Sequence, residues 1–375
     1  MTSPARNPFH PTFGRSPAVF AGRDAELSAF ELALAEGPGN PWRTALISGA
    51  RGIGKTVLLN EFEAIAKAQG WIVLRAHVGP EMITEFTDIT IPRVVRDLDF
   101  APSATQRHIT GVTLPGLGGV RTEVTTTPEP GRNLLTSLQD LWSLCAPHGV
   151  GLLITADEIQ SAEPNHLREL GHAIQELNRD DADIAFVAAG LPTGVEDLLQ
   201  MDSTTFLRRA ERVQLAPLSD ETAAQLFRDT AALSTFPMDS GAIAAAVELG
   251  RGYPYLIQTI GSITWAKTKL AGTEVMTADR VAEASPEAIR RIGTQVHAPA
   301  LRTATPAQMD FLWAMAQRGT PAATADIAGA LGKKPSSISQ LRHDLLYAEL
   351  ITAPAHGKVD FYLPYMGEYL LTLQR

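Results

Sequence analysis

Short apolar runs alternate with segments of helical periodicity through the N-terminal part of the chain. The runs are Thr44–Ser48, Trp71–Val78, Val150–Glu158 and Ile184–Gly190. Between them apolar residues recur at helical spacing, as over Thr56–Gln69, which ends before a glycine. Strands that are apolar at most positions are typical of a parallel sheet covered on both faces. The pattern therefore predicts an α/β fold with a parallel-sheet core.

The C-terminal part of the chain has a different pattern. It is helical throughout from Ser219 to about Val296, and a capping box at Thr305-Pro306-Ala307-Gln308 then opens a further helix. Two more helices and two short strands are predicted after it, over Ala323–Leu331, Pro335–Ala348, Leu350–Ala353 and Val359–Leu363. This part of the chain is therefore expected to be mainly helical.

Two segments do not fit this alternation. Residues 1–18 are rich in Pro, Phe and Gly and predict an extended arm. Residues 108–127 hold two alternating β-rich runs around a Pro/Gly turn, which predicts an inserted hairpin between the second and third strands. Such a hairpin either contacts a partner or a neighbouring subunit, or is a solvent-exposed elaboration without a specific role.

Length and composition limit the class of protein. A chain of 375 residues predicts two or three domains, and its 45% hydrophobic and 19% charged composition is that of a soluble globular protein. We expect a cytoplasmic location without membrane contact, because no apolar run has the length of a membrane helix and the start lacks a signal-peptide core. Cys145, the single cysteine, excludes an intrachain disulfide and a cysteine metal cluster. The net charge of −9 disfavours nonspecific coating of nucleic acid but permits a local basic patch.

One motif predicts a nucleotide site. Residues 49–56 match the phosphate-binding pattern G-x-x-x-x-G-K-[ST] at every fixed position and lie between a predicted strand and a predicted helix. The glycines let backbone N–H groups turn toward phosphates, and the helix N-terminus adds partial positive charge. Lys55 would contact the β- and γ-phosphates, and Thr56 would offer its hydroxyl to Mg²⁺. The predicted binding residues are Gly49, Ala50, Arg51, Gly52, Ile53, Gly54, Lys55, Thr56 and Val57.

A pair of acids supplies the second half of such a site. Asp157 and Glu158 end an apolar strand. Asp157 is expected to organise Mg²⁺ through its water shell, and Glu158 to polarise the water that attacks ATP. The alternative is that the two acids only cap the next helix.

Val19–Leu27 extends the picture through a resemblance. With Phe20, Gly22 and Arg23, this stretch resembles the F-x-G-R-x-x-E-L entry segment of AAA+ and STAND-type ATPases. That resemblance implies contacts of Phe20, Gly22 and Arg23 with the adenine. The alternative is an ordinary loop and helix cap.

The same family resemblance implies roles for several further residues. Arg208 and Arg209 precede a short strand, as the arginine finger of AAA+ proteins does when it completes a neighbouring subunit's site; alternatively, one of them closes a helix end. Pro254 resembles the Gly-x-Pro helix start of the STAND branch, and Arg251 is the nearest candidate for a sensor arginine. Thr193 is the one hydroxyl near the usual position of the polar sensor.

The predicted helices and strands after residue 300 follow the order of a winged-helix domain. On its third helix, Ile338, Leu341 and Leu345 share an inner stripe, which turns other side chains outward. The candidate DNA-binding residues are Lys333, Lys334, Ser336, Gln340, His343 and Lys358. Residues 300–375 carry seven Lys/Arg against six Asp/Glu, and many winged helices contact proteins instead.

The whole pattern resembles an AAA+-type ATPase similar in layout to origin-recognition initiators and to STAND relatives. The predicted units are an arm at 1–18, an ATPase core at 19–216, a helical lid at 217–299 and a winged-helix domain at 300–375. The resemblance implies ATP hydrolysis with Mg²⁺ as a conformational switch, in association with further copies of the chain. Three hypotheses stay open: a motor or loader on double-stranded DNA, a signalling switch that contacts a protein partner, and a nucleotide-bound scaffold.

Overall fold

A computed structural model describes residues 6–12, 14, 16–98 and 133–373. The hairpin predicted at residues 108–127 lies outside the described residues. Within the described part, no helix combines the length and the apolar composition that crossing a bilayer requires.

Five parallel strands form the central sheet. They are β1 (Thr44–Ser48), β2 (Ile72–Ala76), β3 (Leu152–Ala156), β4 (Ile184–Gly190) and β5 (Glu211–Gln214). Their order across the sheet is β2-β3-β4-β1-β5, so β1 lies between β4 and β5. Every residue of β3 and β4 is buried, which confirms the reading of these apolar runs as interior strands.

Helices cover both faces of this sheet. They are α1 (Asp24–Glu36), α2 (Lys55–Ala68), α3 (Met82–Glu85), α4 (Ile91–Asp97), α5 (Leu134–Cys145), α6 (Pro164–Arg179) and α7 (Pro192–Gln200). Two apolar clusters pack on the sheet, and alternate residues of β1 contribute to each. Ala45 and Ile47 belong to one cluster and Leu46 belongs to the other. The stacked rings of Phe30 and Phe62, 4.3 Å apart, join α1 to α2. The result is a three-layer α/β core.

A group of helices follows the sheet. These are α8 (Asp220–Ala232), α9 (Ser240–Gly250), α10 (Pro254–Leu270), α11 (Ala278–Ile292) and α12 (Ala298–Leu301). Ser219 and Asp239 cap α8 and α9, since their side-chain oxygens accept hydrogen bonds from backbone N–H groups of the first turn.

The C-terminal unit combines helices with a small antiparallel sheet. Its elements are α13 (Pro306–Arg318), β6 (Ala322–Ala323), α14 (Thr324–Ala330), α15 (Ser339–Tyr347), β7 (Ile351–Thr352), β8 (Lys358–Phe361) and α16 (Met366–Leu373). The capping box at Thr305 is present as predicted. β8 pairs with both β6 and β7. The strand β6 was not predicted, because two alanines carry no strand signal, and the winged-helix assignment stays a prediction.

Candidate nucleotide-binding site

The phosphate loop connects β1 to α2, as its motif predicts. Gly52 and Gly54 adopt left-handed φ values of 79° and 106°, which glycine reaches without steric cost. A Cβ at Gly52 would lie 3.2 Å from the side chains of Tyr253 and Tyr255, so the loop also packs closely on the start of α10. Two separate constraints therefore require glycine at position 52.

Lys55 is the first residue of α2, and its side chain reaches back to the start of this loop. Its side chain is 6% exposed, and Nζ donates to the carbonyl oxygens of Gly49 and Ala50 at 2.8 and 3.0 Å. Burial lowers the pKa of Lys55, and the carboxyl groups of Glu158 and Asp157 oppose that shift. Phosphate oxygens would add further negative charge and favour the ammonium form.

The acid pair that follows β3 meets the phosphate loop at Thr56. The Thr56 hydroxyl donates to Asp157 Oδ2 at 2.5 Å, although 101 positions separate the two residues. Hydroxyl and carboxylate oxygens are ligands that Mg²⁺ accepts, and this ion keeps several waters in most nucleotide sites. This pair therefore fits Mg²⁺, although no group of three or more His, Cys, Asp or Glu suited to a metal occurs in the described part of the chain.

Glu158 follows with a left-handed φ of 51°. Its backbone N–H donates to Asp157 Oδ1 at 2.9 Å, and its carboxylate accepts from the amide of Gln160. The amide oxygen of Gln160 in turn accepts from Leu191 N at 3.1 Å, just beyond the end of β4. These hydrogen bonds link Glu158 to the backbone of Leu191, two residues before Thr193, and the sensor role of Thr193 stays a prediction.

A cavity of about 330 Å³ adjoins the phosphate loop. Most of the predicted nucleotide-binding residues line it, namely Phe20, Arg23, Arg51, Gly52, Ile53, Gly54, Lys55, Thr56, Val57 and Pro254, together with Glu158. Gly49 and Ala50 supply the carbonyl groups that hold Lys55 instead. Gly22 packs on Thr222 and Leu218, where a Cβ would lie 2.7 Å from a Thr222 methyl carbon.

The arginines considered for the finger and sensor roles lie outside the cavity lining. Arg208 and Arg209 are exposed at the end of a 3-10 segment over Asp202–Arg209, and Arg208 Nε donates to Leu199 O at 2.9 Å. Neither is among the described residues that line the cavity. Arg251 lies 4.1 Å from the ring centre of Tyr365 in the C-terminal unit. Arg251 is not among the described residues that line the cavity either, and its role as a sensor arginine stays a prediction.

Glu349 is a residue of this region that the sequence did not indicate. It lies between α15 and β7, and burial raises its pKa to about 7, while Lys55 and a hydrogen bond with Tyr362 oppose the shift. The C-terminal unit thus places an acid within electrostatic range of the phosphate-loop lysine. A lone Glu after a helix carries no sequence signal for such a contact.

Residues near the chain start were also missed as cavity residues. His10, Pro11, Thr12, Gly14 and Pro17 line the cavity, as do Gln258 of α10 and Gln295. The predicted arm is thus extended but packed on the molecule, and Phe9 is 2% exposed.

The candidate DNA-binding side chains form an exposed group. All six are exposed, which the helical periodicity predicted for Ser336, Gln340 and His343, while Ile338 and Leu345 are buried and Leu341 is half-buried. The amide of Gln340 donates to Asp344 Oδ1 at 2.7 Å, which holds an acid beside the basic residues.

Comparison with known proteins gives two matching families and a shared fold. Residues 19–187 match the AAA ATPase domain, and residues 294–370 match a domain of unknown function, DUF8462. No curated protein matches the chain. The Walker-type ATPase of Pyrococcus abyssi is 16% identical with a TM-score of 0.67, over 94% of this chain and 96% of that one. The ORC2 protein of Aeropyrum pernix, solved as ADPNP–ADP complexes, is 15% identical with a TM-score of 0.64, over 97% and 96%. At these identities the two structures are evidence for the fold.

Proposed function

We propose that the cavity of this chain, whose residues 19–187 match the AAA ATPase domain, binds ATP with Mg²⁺ and hydrolyses it as a conformational switch. One observation carries the proposal. The Thr56 hydroxyl donates to Asp157 Oδ2 at 2.5 Å beside the buried Lys55. The phosphate loop and the acid pair after β3 therefore form one site.

Each residue of this site has a role in the proposed reaction. Lys55 and the N–H groups at the start of α2 hold the β- and γ-phosphates. Mg²⁺ would be held by the Thr56 hydroxyl and, through water, by Asp157, and it neutralises phosphate charge when bound. Glu158 accepts a proton from a water that attacks the γ-phosphorus. The bond from that phosphorus to the bridging oxygen breaks, and this oxygen leaves on ADP.

Two substitutions separate binding from turnover. Lys55→Ala is expected to weaken ATP binding about 10–100-fold, because hydrogen bonds to charged groups contribute about 1.5–3 kcal/mol. Glu158→Gln should keep ATP binding and lower turnover about 10²–10⁴-fold, the usual contribution of a general base. A fluorescent ATP analogue measures the first effect and phosphate release measures the second.

The matched control is Lys67→Ala, on the exposed side of the same helix, where the lysine pairs with Glu63 at 3.8 Å. It should bind and hydrolyse ATP like the wild type. Wild-type turnover in Glu158→Gln would contradict the assignment of the base, and unchanged binding in Lys55→Ala would contradict the site.

Contact with double-stranded DNA is the second proposed function, and the exposed group around α15 favours it. Ser336, Gln340 and His343 share the outer face of this helix region, with Lys333 and Lys334 just before it. These residue types bind phosphates and base edges in helix-in-groove complexes. A protein partner on the same surface, as in a STAND-type switch, is the alternative outcome of the test given below.

A further inference from the structure

The N-terminal arm lies along one face of α10. The side-chain amide of Asn7 donates to the carbonyl and the hydroxyl of Ser262 at 3.1 and 2.9 Å. The ring of Phe9 occupies the space beside Gly261, where a Cβ would lie 2.3 Å from the ring. A third contact lies at Gln258, three and four residues earlier, so the contacted positions of α10 share a helix face. Residues 10–12 and 14 line the cavity, and the arm therefore forms one of its walls.

Gln258 lies almost one helical turn beyond the residue of α10 that contacts the phosphate loop. Tyr255 N donates to Gly52 O at 3.3 Å, which places the first turn of α10 beside the phosphate loop. Gln258 is three residues further along, about 4.5 Å at 1.5 Å per residue. Val19, Phe20 and Leu226 line the cavity with it. The cavity thus has a polar end at the phosphate loop and a mainly apolar end at Gln258.

The side-chain amide of Gln258 has a defined orientation. His10 N donates to Gln258 Oε1 at 2.9 Å, and because a backbone N–H can only donate, the amide oxygen must face the arm. The amide NH₂ group takes no part in this contact, and Gln258 lines the cavity. Gln258 is 7% exposed, and its Nε2 is buried with no hydrogen-bond acceptor among the described residues. A buried donor without an acceptor is unfavourable, so a ligand acceptor at this point would be stabilised.

We propose that Gln258 recognises the nucleobase by donating from Nε2 to one of its ring nitrogens, while the arm and the apolar wall hold the base. This inference rests on the proposed function, because it assumes that the cavity binds ATP. Adenine suits the site, since its ring nitrogens N1, N3 and N7 accept hydrogen bonds and its faces are apolar.

Replacement of Gln258 tests the proposal. Gln258→Met keeps the length of the side chain and removes the donor, so ATP binding should weaken about 5–50-fold. Gln258→Glu keeps an acceptor for His10 N and removes the donor, and should weaken ATP binding as well. Inorganic tripolyphosphate lacks a base, so its binding should be unchanged in Gln258→Met. In Gln258→Glu, tripolyphosphate binding measures how much of the loss comes from the added negative charge. Asn7→Ala, which loosens the arm without touching Gln258, should have a smaller effect, and thermal melts check that each variant is folded.

Deaza analogues identify the accepting atom. One of 1-, 3- and 7-deaza-ATP should bind the wild type more weakly than ATP does, by the same factor as the Gln258→Met substitution weakens ATP binding. Gln258→Met should bind that analogue and ATP equally well. The inference is wrong if the Gln258 variants bind ATP as tightly as the wild type does. It is also wrong if each analogue loses the same affinity, relative to ATP, in wild type and variant. In both cases the ATPase proposal stands. If wild type does not bind ATP, the proposed function itself fails.

Discussion

The fold changes the ionisation of Glu349, which lies within electrostatic range of Lys55 in the phosphate loop. Burial raises its pKa from 4.5 to about 7, against the opposing effect of Lys55. The folded chain therefore holds a proton on Glu349 at a pH where the unfolded chain has released it. The resulting stabilisation is complete below the unfolded pKa of 4.5 and is lost as the pH rises through about 7.

Glu349→Gln should remove this pH dependence. The amide cannot ionise, so at pH 8 the variant is expected to be about 1–3 kcal/mol more stable than wild type, and at pH 4.5 the two should be alike. Urea melts across this range measure the difference. Glu368→Gln, an acid that is 58% exposed in the same unit, is the control and should follow the wild type. Identical profiles for Glu349→Gln and wild type would show that Glu349 ionises normally.

The 3-10 segment over Asp202–Arg209 connects α7 to the edge strand β5. It presents Arg208 and Arg209 to solvent at its end. Exposure at an edge of the core suits an arginine that acts on a neighbouring subunit. The hydrogen bond from Arg208 to Leu199 O equally suits a residue that closes the end of α7. The two interpretations differ in whether activity depends on assembly.

A mixing experiment decides between them. An Arg208→Ala/Arg209→Ala protein and a Lys55→Ala protein should each be nearly inactive, since an arginine finger contributes about 10³–10⁵ in rate. Mixed, they should regain ATPase activity, because an intact site can meet an intact finger. Arg228→Ala on the surface of α8 is the control and should keep wild-type activity. Mixed oligomers that form without recovered activity would assign the arginines to closing the helix end.

The C-terminal unit packs on the rest of the molecule through several tyrosines. The hydroxyl of Tyr365 donates to Leu249 O at 2.8 Å, and the hydroxyl of Tyr347, at the end of α15, donates to the carboxylate of Asp197 on α7. With Glu349 near Lys55, these contacts connect the unit to both the helical group α8–α12 and the sheet-based core. We therefore expect nucleotide state and the exposed face of α15 to be coupled.

DNA binding by the whole chain should be weak and only moderately salt-dependent. Few basic residues lie on the α15 face, so release of about two to three counterions predicts a log–log salt slope of about −2 to −3. Anisotropy of a labelled duplex, at low salt with ATP, measures the affinity. Lys334→Glu and Gln340→Ala should weaken it, whereas Lys269→Glu on α10 should not. No signal at micromolar wild-type protein would assign the surface to a protein partner.

Local features of the sequence were sufficient to predict most elements of the fold. The phosphate loop consists of eight consecutive residues. Its glycines and lysine define its conformation locally, independently of the rest of the fold. The apolar runs predicted β1, β3 and β4, because a strand buried on both faces needs apolar residues at nearly every position. The capping box predicted the start of α13 for the same local reason.

Only the tertiary structure decided which distant residues meet at the site. Parallel pairing of β3, β4 and β1 places Asp157 against Thr56, and the docking of the arm places His10 on Gln258. Packing of the C-terminal unit likewise decides that Arg251 faces Tyr365 and that Glu349 lies near Lys55. Such contacts join residues that are far apart in the chain. They leave no periodicity or spacing in the sequence, because their geometry depends on how whole elements pack.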